Sequence, residues 1–403
     1  MKKLTIDEWE KHYVAEPIQQ MDQINTVTRR VFADKEYKDR LERLLNPITY
    51  LDKPGFYQHE YALRWTPRYL HAKIAELNDS KVNPSPLAAT LNKIIQESRG
   101  ALSYVPGNVE DKYQATSEAA TSLVKRVAKF YGADLVGIAP LEKRWIYSYT
   151  TEKTEGGASY DHVKQEIPED VKYAVVMGFA PDYDLLKYPR TYIGGAGHDE
   201  ASTRMVVTSQ TLTLFLQNLG FKAIDCNLDD VVMSVPLAML AGMGQLGRHG
   251  MLITPQYGPR IRLGVVLTSL PLETDAPIDF GVTEFCEVCK RCAEMCPSDS
   301  IPSGRRNTEP VNVSNSPGGI KWYHNGETCR ILHVTARYPC ATCNSVCPYN
   351  KPDTLFHRTA RWLTDNARWG DRFYSWIDKS LGYGEIKKPD SFWKEWSPES
   401  RRR

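Results

Sequence analysis

The sequence has no run of 18 or more apolar residues, so nothing in its 403 positions reads as a membrane-spanning helix. It has almost no net charge: 51 Lys and Arg against 49 Asp and Glu leave +2 at pH 7. That balance gives no electrostatic footprint for nucleic acid and no funnel for acidic substrates. The opening MKKLTIDEWEKHY lacks the apolar stretch of a signal peptide. The twin arginine Arg29-Arg30 is soon followed by Asp34-Lys35-Glu36, and such charges stop an export signal. A cytoplasmic protein is expected, or an exported, membrane-associated form whose leader precedes residue 1. Walker and Rossmann glycine patterns are missing too. Gly194-Gly195-Ala196-Gly197 comes nearest, and a plain turn before a helix starting near Ser202 is expected there.

Cysteine is scarce, with nine in all, but eight of them fall into two groups of four. The first reads Cys286-x2-Cys289-x2-Cys292-x3-Cys296-Pro297, and the second is Cys329, Cys340, Cys343 and Cys347, closed by Pro348. The first spacing is that of bacterial ferredoxins carrying 4Fe-4S clusters, in which the fourth cysteine of a run ligates the other run's cluster. By that rule Cys286, Cys289, Cys292 and Cys347 serve one cluster, and Cys296, Cys329, Cys340 and Cys343 the other. Three thiolates in one tight loop reach three corners of an iron–sulfur cube, and a distant fourth ties two loops together. Zinc also takes cysteine pairs, but does not need three in one short run followed by Cys-Pro. Disulfides fit this metal-type spacing least. Cys226 is left over and reads as a small buried hydrophobe.

The remaining chain is ordinary globular material, 41% hydrophobic and 25% charged. Residues 1–110 are broken by prolines and read as an N-terminal cover. Residues 111–275 alternate helix and strand, an α/β pattern. A helix opening at Ser117 shows Leu123, Val124, Val127 and Phe130 on one face, and Leu135–Ala139, Tyr173–Phe179 and Arg262–Thr268 read as buried strands. Residues 276–352 form the cysteine domain. The tail, 353–403, is rich in Trp, Tyr and Phe and is expected to pack on the core.

Three stretches together resemble the corrinoid-dependent reductive dehalogenases. They are Asn227 to Ser234-Val-Pro-Leu-Ala238 running into Ala241-Gly-Met-Gly-Gln-Leu-Gly-Arg-His-Gly250; Leu252-Ile-Thr-Pro-Gln-Tyr-Gly-Pro-Arg260 onward; and the double cysteine domain ending Cys347-Pro-Tyr-Asn-Lys-Pro352, with Leu381-Gly-Tyr-Gly384 beyond. The resemblance covers about residues 115–395. It implies an α+β or α/β fold, with a nitroreductase-like corrinoid-binding core beside a ferredoxin-like double 4Fe-4S domain. It implies two 4Fe-4S clusters and a base-off cobamide, cobalamin or nor-cobamide. The implied activity is reduction of an organohalide with release of halide. Electrons would come from a low-potential donor (ferredoxin, flavodoxin or quinol-linked), and a membrane-anchor partner is common in the family.

The same resemblance implies site residues. Arg260 matches a basic pocket residue and Asn227 a pocket asparagine. The family's tyrosine proton donor has no counterpart in Glu200–Met205, which leaves Tyr192, or else Tyr257 or water. Ser234, Leu246, Gly247, Arg248, His249, Gly250 and Tyr257 are expected to touch the corrinoid, with His249 as a hydrogen-bond donor to a polar cofactor edge. An epoxyqueuosine reductase-like tRNA-modifying enzyme and an electron carrier without chemistry of its own are the alternatives.

Overall fold

A computed structural model describes residues 1–32, 34–45, 49–77, 112–153, 160–226, 231–336, 338–352, 357, 359, 362 and 367–396. Asn227 lies outside them. Helices α1 (Ile6–Tyr13), α2 (Lys35–Leu44) and α3 (Gln58–Leu77) precede the sheet region. It comprises α4 (Ser117–Phe130), β1 (Leu135–Pro140), β2 (Tyr173–Phe179), α5 (Tyr192–Asn218), β3 (Ala223–Asp225), α6 (Ser234–Leu240) and β4 (Arg262–Thr268). The order is β1-β2-β4-β3, and every neighbouring pair is antiparallel. The fold is therefore mixed α and β on an antiparallel sheet.

Both sheet faces are covered, which explains why β2 is apolar along its whole length. Val176 pairs with Gly137 and Val265. Ala174 and Val176 share a core with Leu237, Ala238 and Leu240 of α6. Val175 and Met177, pointing the other way, pack with Val124 of α4 and Met205, Leu212 and Leu216 of α5. Gly137 admits the end of α6: a Cβ there would lie 2.3 Å from the Ala241 carbonyl oxygen.

Two local readings change. The Gly194–Gly197 segment is helical, because α5 begins at Tyr192 under the Thr191 N-cap, whose side chain accepts from Gly194 N–H. Those glycines allow close packing: a Cβ on Gly195 would lie 2.5 Å from Pro339 and 2.8 Å from Arg64. On α4 the buried stripe is Ala120, Val124 and Ala128, and Phe130 is 84% exposed. Small residues at i, i+4 and i+8 bring that helix against the sheet.

The cysteine region follows with α7 (Val282–Cys289), α8 (Arg291–Glu294), α9 (Gly326–Thr335) and α10 (Thr342–Ser345). Lys290 separates α7 from α8 in the left-handed region, φ 53°. Such a residue costs of order 1–3 kcal/mol, and here it turns the chain between Cys289 and Cys292. In the tail, α11 (Asp371–Ser380) and α12 (Phe392–Glu395) follow. Phe392 is buried edge-on against Tyr188, whereas Trp369 is 91% exposed. Among the described residues no helix is long and apolar enough to cross a membrane.

Candidate functional site

The eight cysteines gather in two places. Cys286, Cys289, Cys292 and Cys347 line one pocket with Arg248, His249, Phe285 and Tyr349. Cys343 has Cys340, Cys329 and Cys296 as its charged neighbours. All are free thiols. Burial pushes Cys286 and Cys343 up to about 12 and Cys329 up to about 11, with neighbouring thiols adding to it. Burial raises Cys292 and Cys347 as well. Cys296 is the exception: burial raises it, but hydrogen bonds from Ser298 and from the Ser300 and Ile301 N–H groups outweigh that and bring it below its ordinary value. Thiols crowded this way give up their protons readily only to a metal. Among the described residues no three His, Cys, Asp or Glu side chains converge for a single metal ion.

The loop from Leu246 to Gly250 separates that pocket from a second space. Leu246 and Gly250 line a cavity of about 260 Å³ that opens to solvent, whereas Arg248 and His249 line the cysteine pocket. Arg248 is fully buried. Its guanidinium donates to the carbonyls of Cys286, Pro302 and Gly304 at 2.7–3.0 Å and stacks on Trp322. It thus clamps α7 to the 302–304 loop. Burial depresses His249 to about 3, so its imidazole is neutral.

The cavity walls come from Ser234 and Met239 of α6, from Asn315 to His324, and from Trp9, Tyr13 and Ile18 near the N-terminus. The N-terminal contribution is absent from the sequence reading, because nothing in the Trp9–Tyr13 spacing marks more than an amphipathic helix. Trp9 and Trp145 each present a buried indole N–H with no hydrogen-bond partner among the described residues. Such donors call for an acceptor on whatever fills the space. Lys321 adds a cation that burial lowers to about 8.

Arg260 sits elsewhere. It is 1% exposed, donates to the Pro181 carbonyl at 3.0 Å, and faces the rings of Tyr183 and Tyr257 at 5.5 and 5.2 Å. Burial holds its pKa below the usual value. Tyr183, which the sequence reading missed, is raised to about 12 by burial, with Arg260 pulling the other way. No spacing signal links positions 77 residues apart. Tyr192 has different neighbours: its hydroxyl donates to Thr49 O at 2.7 Å, and its ring packs on Phe56, Tyr61 and Arg64. The Asn350-Lys351 and Gly382-Tyr383-Gly384 motifs meet through Asp378, which pairs with Lys351 and Arg291, while Arg291 also donates to Tyr383 O.

No established family profile matches the chain. It is similar to the tetrachloroethene reductive dehalogenase of Sulfurospirillum multivorans, 33% identical over 295 residues, 68% of this chain and 58% of that protein. An epoxyqueuosine reductase of Lactococcus garvieae is 34% identical over 122 residues, 30% of this chain and 32% of that protein. Of solved structures, the catabolic reductive dehalogenase NpRdhA in complex with 3-bromo-4-hydroxybenzoic acid superposes with a TM-score of 0.69 at 20% identity, covering 96% of this chain and 50% of that one. The chain thus spans little more than half the length of the dehalogenases it matches.

Proposed function

The chain belongs to the reductive dehalogenase family, and from that premise we propose that it reduces an organohalide with release of halide. One observation carries the reading: consecutive residues of the Leu246–Gly250 loop line a four-thiol pocket on one side and a ligand-sized cavity on the other. Cys286, Cys289, Cys292 and Cys347 hold one 4Fe-4S cluster. Cys296, Cys329, Cys340 and Cys343 hold a second. The cavity takes one end of the cobamide, whose amide groups suit the indoles of Trp9 and Trp145, unpartnered among the described residues, and whose phosphate suits Lys321. Ser234, Leu246 and Gly250 line its wall. In domain terms, residues 111–275 form a nitroreductase-like corrinoid core between the 1–110 cover and a ferredoxin-like unit at 276–352, with 353–403 as the tail.

When bound, the clusters and the cobalt supply the low-potential electrons that break the carbon–halogen bond. The net change is two electrons and one proton for R–X going to R–H and halide. The chain's own work is proton supply and charge control. Tyr183 keeps its hydroxyl proton near neutral pH and has the Arg260 guanidinium 5.5 Å from its ring to stabilise a phenolate, so this pair, which does not line the cavity, is the proton source assigned to the reaction. Tyr192 suits this less well, since its hydroxyl proton is engaged by Thr49. Arg260 cannot shed its own charge and also suits the departing halide. A ferredoxin, a flavodoxin or a quinol-linked protein is the electron donor, and a separate membrane-anchor partner, common in the family, holds the enzyme at the membrane.

The test is anaerobic reconstitution with iron, sulfide and cobamide, followed by halide release with titanium(III) citrate as reductant. Arg260→Met is expected to lower the rate at least 100-fold while iron and cobamide stay bound. Iron uptake without cobamide uptake would reduce the protein to an electron relay. Turnover of epoxyqueuosine tRNA in place of organohalide would move it to the other enzyme class.

A further inference from the structure

His249 is buried in the wall between the two pockets, 6% exposed. Its Nδ1 accepts the Met251 backbone N–H at 3.2 Å. A ring nitrogen that accepts carries no proton, so the proton sits on Nε2. That Nε2 is buried and has no hydrogen-bond partner among the described residues, while its side chain lines the pocket with Cys286, Cys289, Cys292 and Cys347. Its room to turn is small: a Cβ on Gly247 would lie 2.7 Å from His249 Cε1. An orphaned donor fixed by its own backbone and set in a thiol-lined pocket needs an acceptor in that pocket.

Resting on the reading that those four cysteines hold a 4Fe-4S cluster, we propose that His249 Nε2–H donates to a sulfur of that cluster and thereby raises its reduction potential. His249 is a positioning residue for electron transfer, serving iron–sulfur rather than the corrinoid. When one electron enters from a low-potential donor, negative charge on the sulfurs grows and no proton need move. The N–H···S bond strengthens, so the reduced state is favoured.

The second thiol group contains its own contrast. His333 Nε2 accepts the Cys340 N–H at 3.3 Å and lies 4.0 Å from Cys329 Sγ. As an acceptor it has no Nε2 proton to offer sulfur. His249 sits in a glycine-rich loop and His333 on α9, and their Nε2 atoms play opposite parts, a donor unpartnered among the described residues in one and an acceptor in the other.

The experiment is a potentiometric titration, followed by electron paramagnetic resonance, of the fully reconstituted full-length protein and its His249→Phe, His249→Gln and His333→Phe variants. His249→Phe is expected to reduce the ratio of reduced to oxidised protein at a fixed potential about tenfold for one cluster, a downward shift of ~59 mV for one electron. The other cluster stays unmoved, and His249→Gln, which keeps an N–H, recovers part of the shift. Should His249→Phe fail to fold, wild-type protein labelled with 15N-histidine supplies the reading: the reduced cluster couples to a histidine nitrogen and to an exchangeable proton. Unchanged potentials with both clusters present, or no such coupling in the wild type, overturn the proposal. A wild type that takes up iron for only one cluster, or none, overturns instead the cluster assignment on which it rests.

Discussion

Cys286, Cys292 and Cys347 in the first thiol group are buried and Cys289 is half-buried, whereas all four thiols of the second group, Cys296, Cys329, Cys340 and Cys343, are half-buried. The first group abuts Trp322 and the Leu246–Gly250 loop, which also wall the cavity. The second has Ser298, Ser300 and Thr342 hydroxyls close to its sulfurs or to one another. A buried site resists added negative charge more than a wetter, hydroxyl-rich one. Yet the dry site is the one given a buried guanidinium, Arg248, and the N–H of His249. In the proposed wiring the outer site receives electrons, and the inner one passes them across a single loop.

The sharpest break in this comparison comes from the cysteine that joins the halves. Cys347 follows the second run but faces the first group. Cys347→Ser is expected to remove about four of about eight irons per chain and to lower the melting temperature, because it leaves a hydroxyl in the drier of the two sites, where Cys347 is buried and Cys296 only half-buried. Cys296→Ser should remove a similar amount of iron with a smaller loss of stability. Iron analysis with thermal denaturation measures both, and equal destabilisation by the two variants would erase the distinction.

Next in size is Arg248→Met. Three carbonyls, of which only that of Cys286 belongs to a buried residue, lose a charged donor, at a cost of roughly 1.5–3 kcal/mol for each such bond, less whatever water recovers. Chemical denaturation reads the loss. The first cluster should reconstitute poorly and the second normally.

The mildest effect concerns the cavity. Lys321 is charged below about 8 and neutral above it. An anion held by that charge is therefore retained at pH 7 and released as pH rises through 8. Cobamide binding is expected to weaken about tenfold between pH 7 and pH 9.5, of the order of one charge-assisted contact, and Lys321→Met should flatten the dependence. Emptying the cavity this way should disturb the resonance signal of the first cluster alone, since only that group shares a wall with it.

Features written in local spacing were legible in the sequence. The strands show as short apolar runs bounded by turn residues, and the thiol groups follow a rule about loops of a dozen residues. Legibility failed where distant segments meet. Trp9 and Tyr13 reach the cavity across some 230 positions from Met239, and Tyr183 reaches Arg260 with no motif between them. It failed also for glycine, because composition says turn while Gly194 and Gly195 are used for helix packing. The exposed Phe130 shows the converse: hydrophobic periodicity identifies the helix, but alanines choose which face is buried.

The Leu246–Gly250 loop carries a consequence for anyone altering this protein. At Gly247 an added methyl would meet the His249 ring, and at Gly250, with φ at +77°, it would lie 2.7 Å from His324. The partition therefore cannot be thickened by even one carbon without pushing a histidine aside. In the proposed wiring electrons cross this loop, their passage falls steeply with gap width, and the glycines keep the gap narrow.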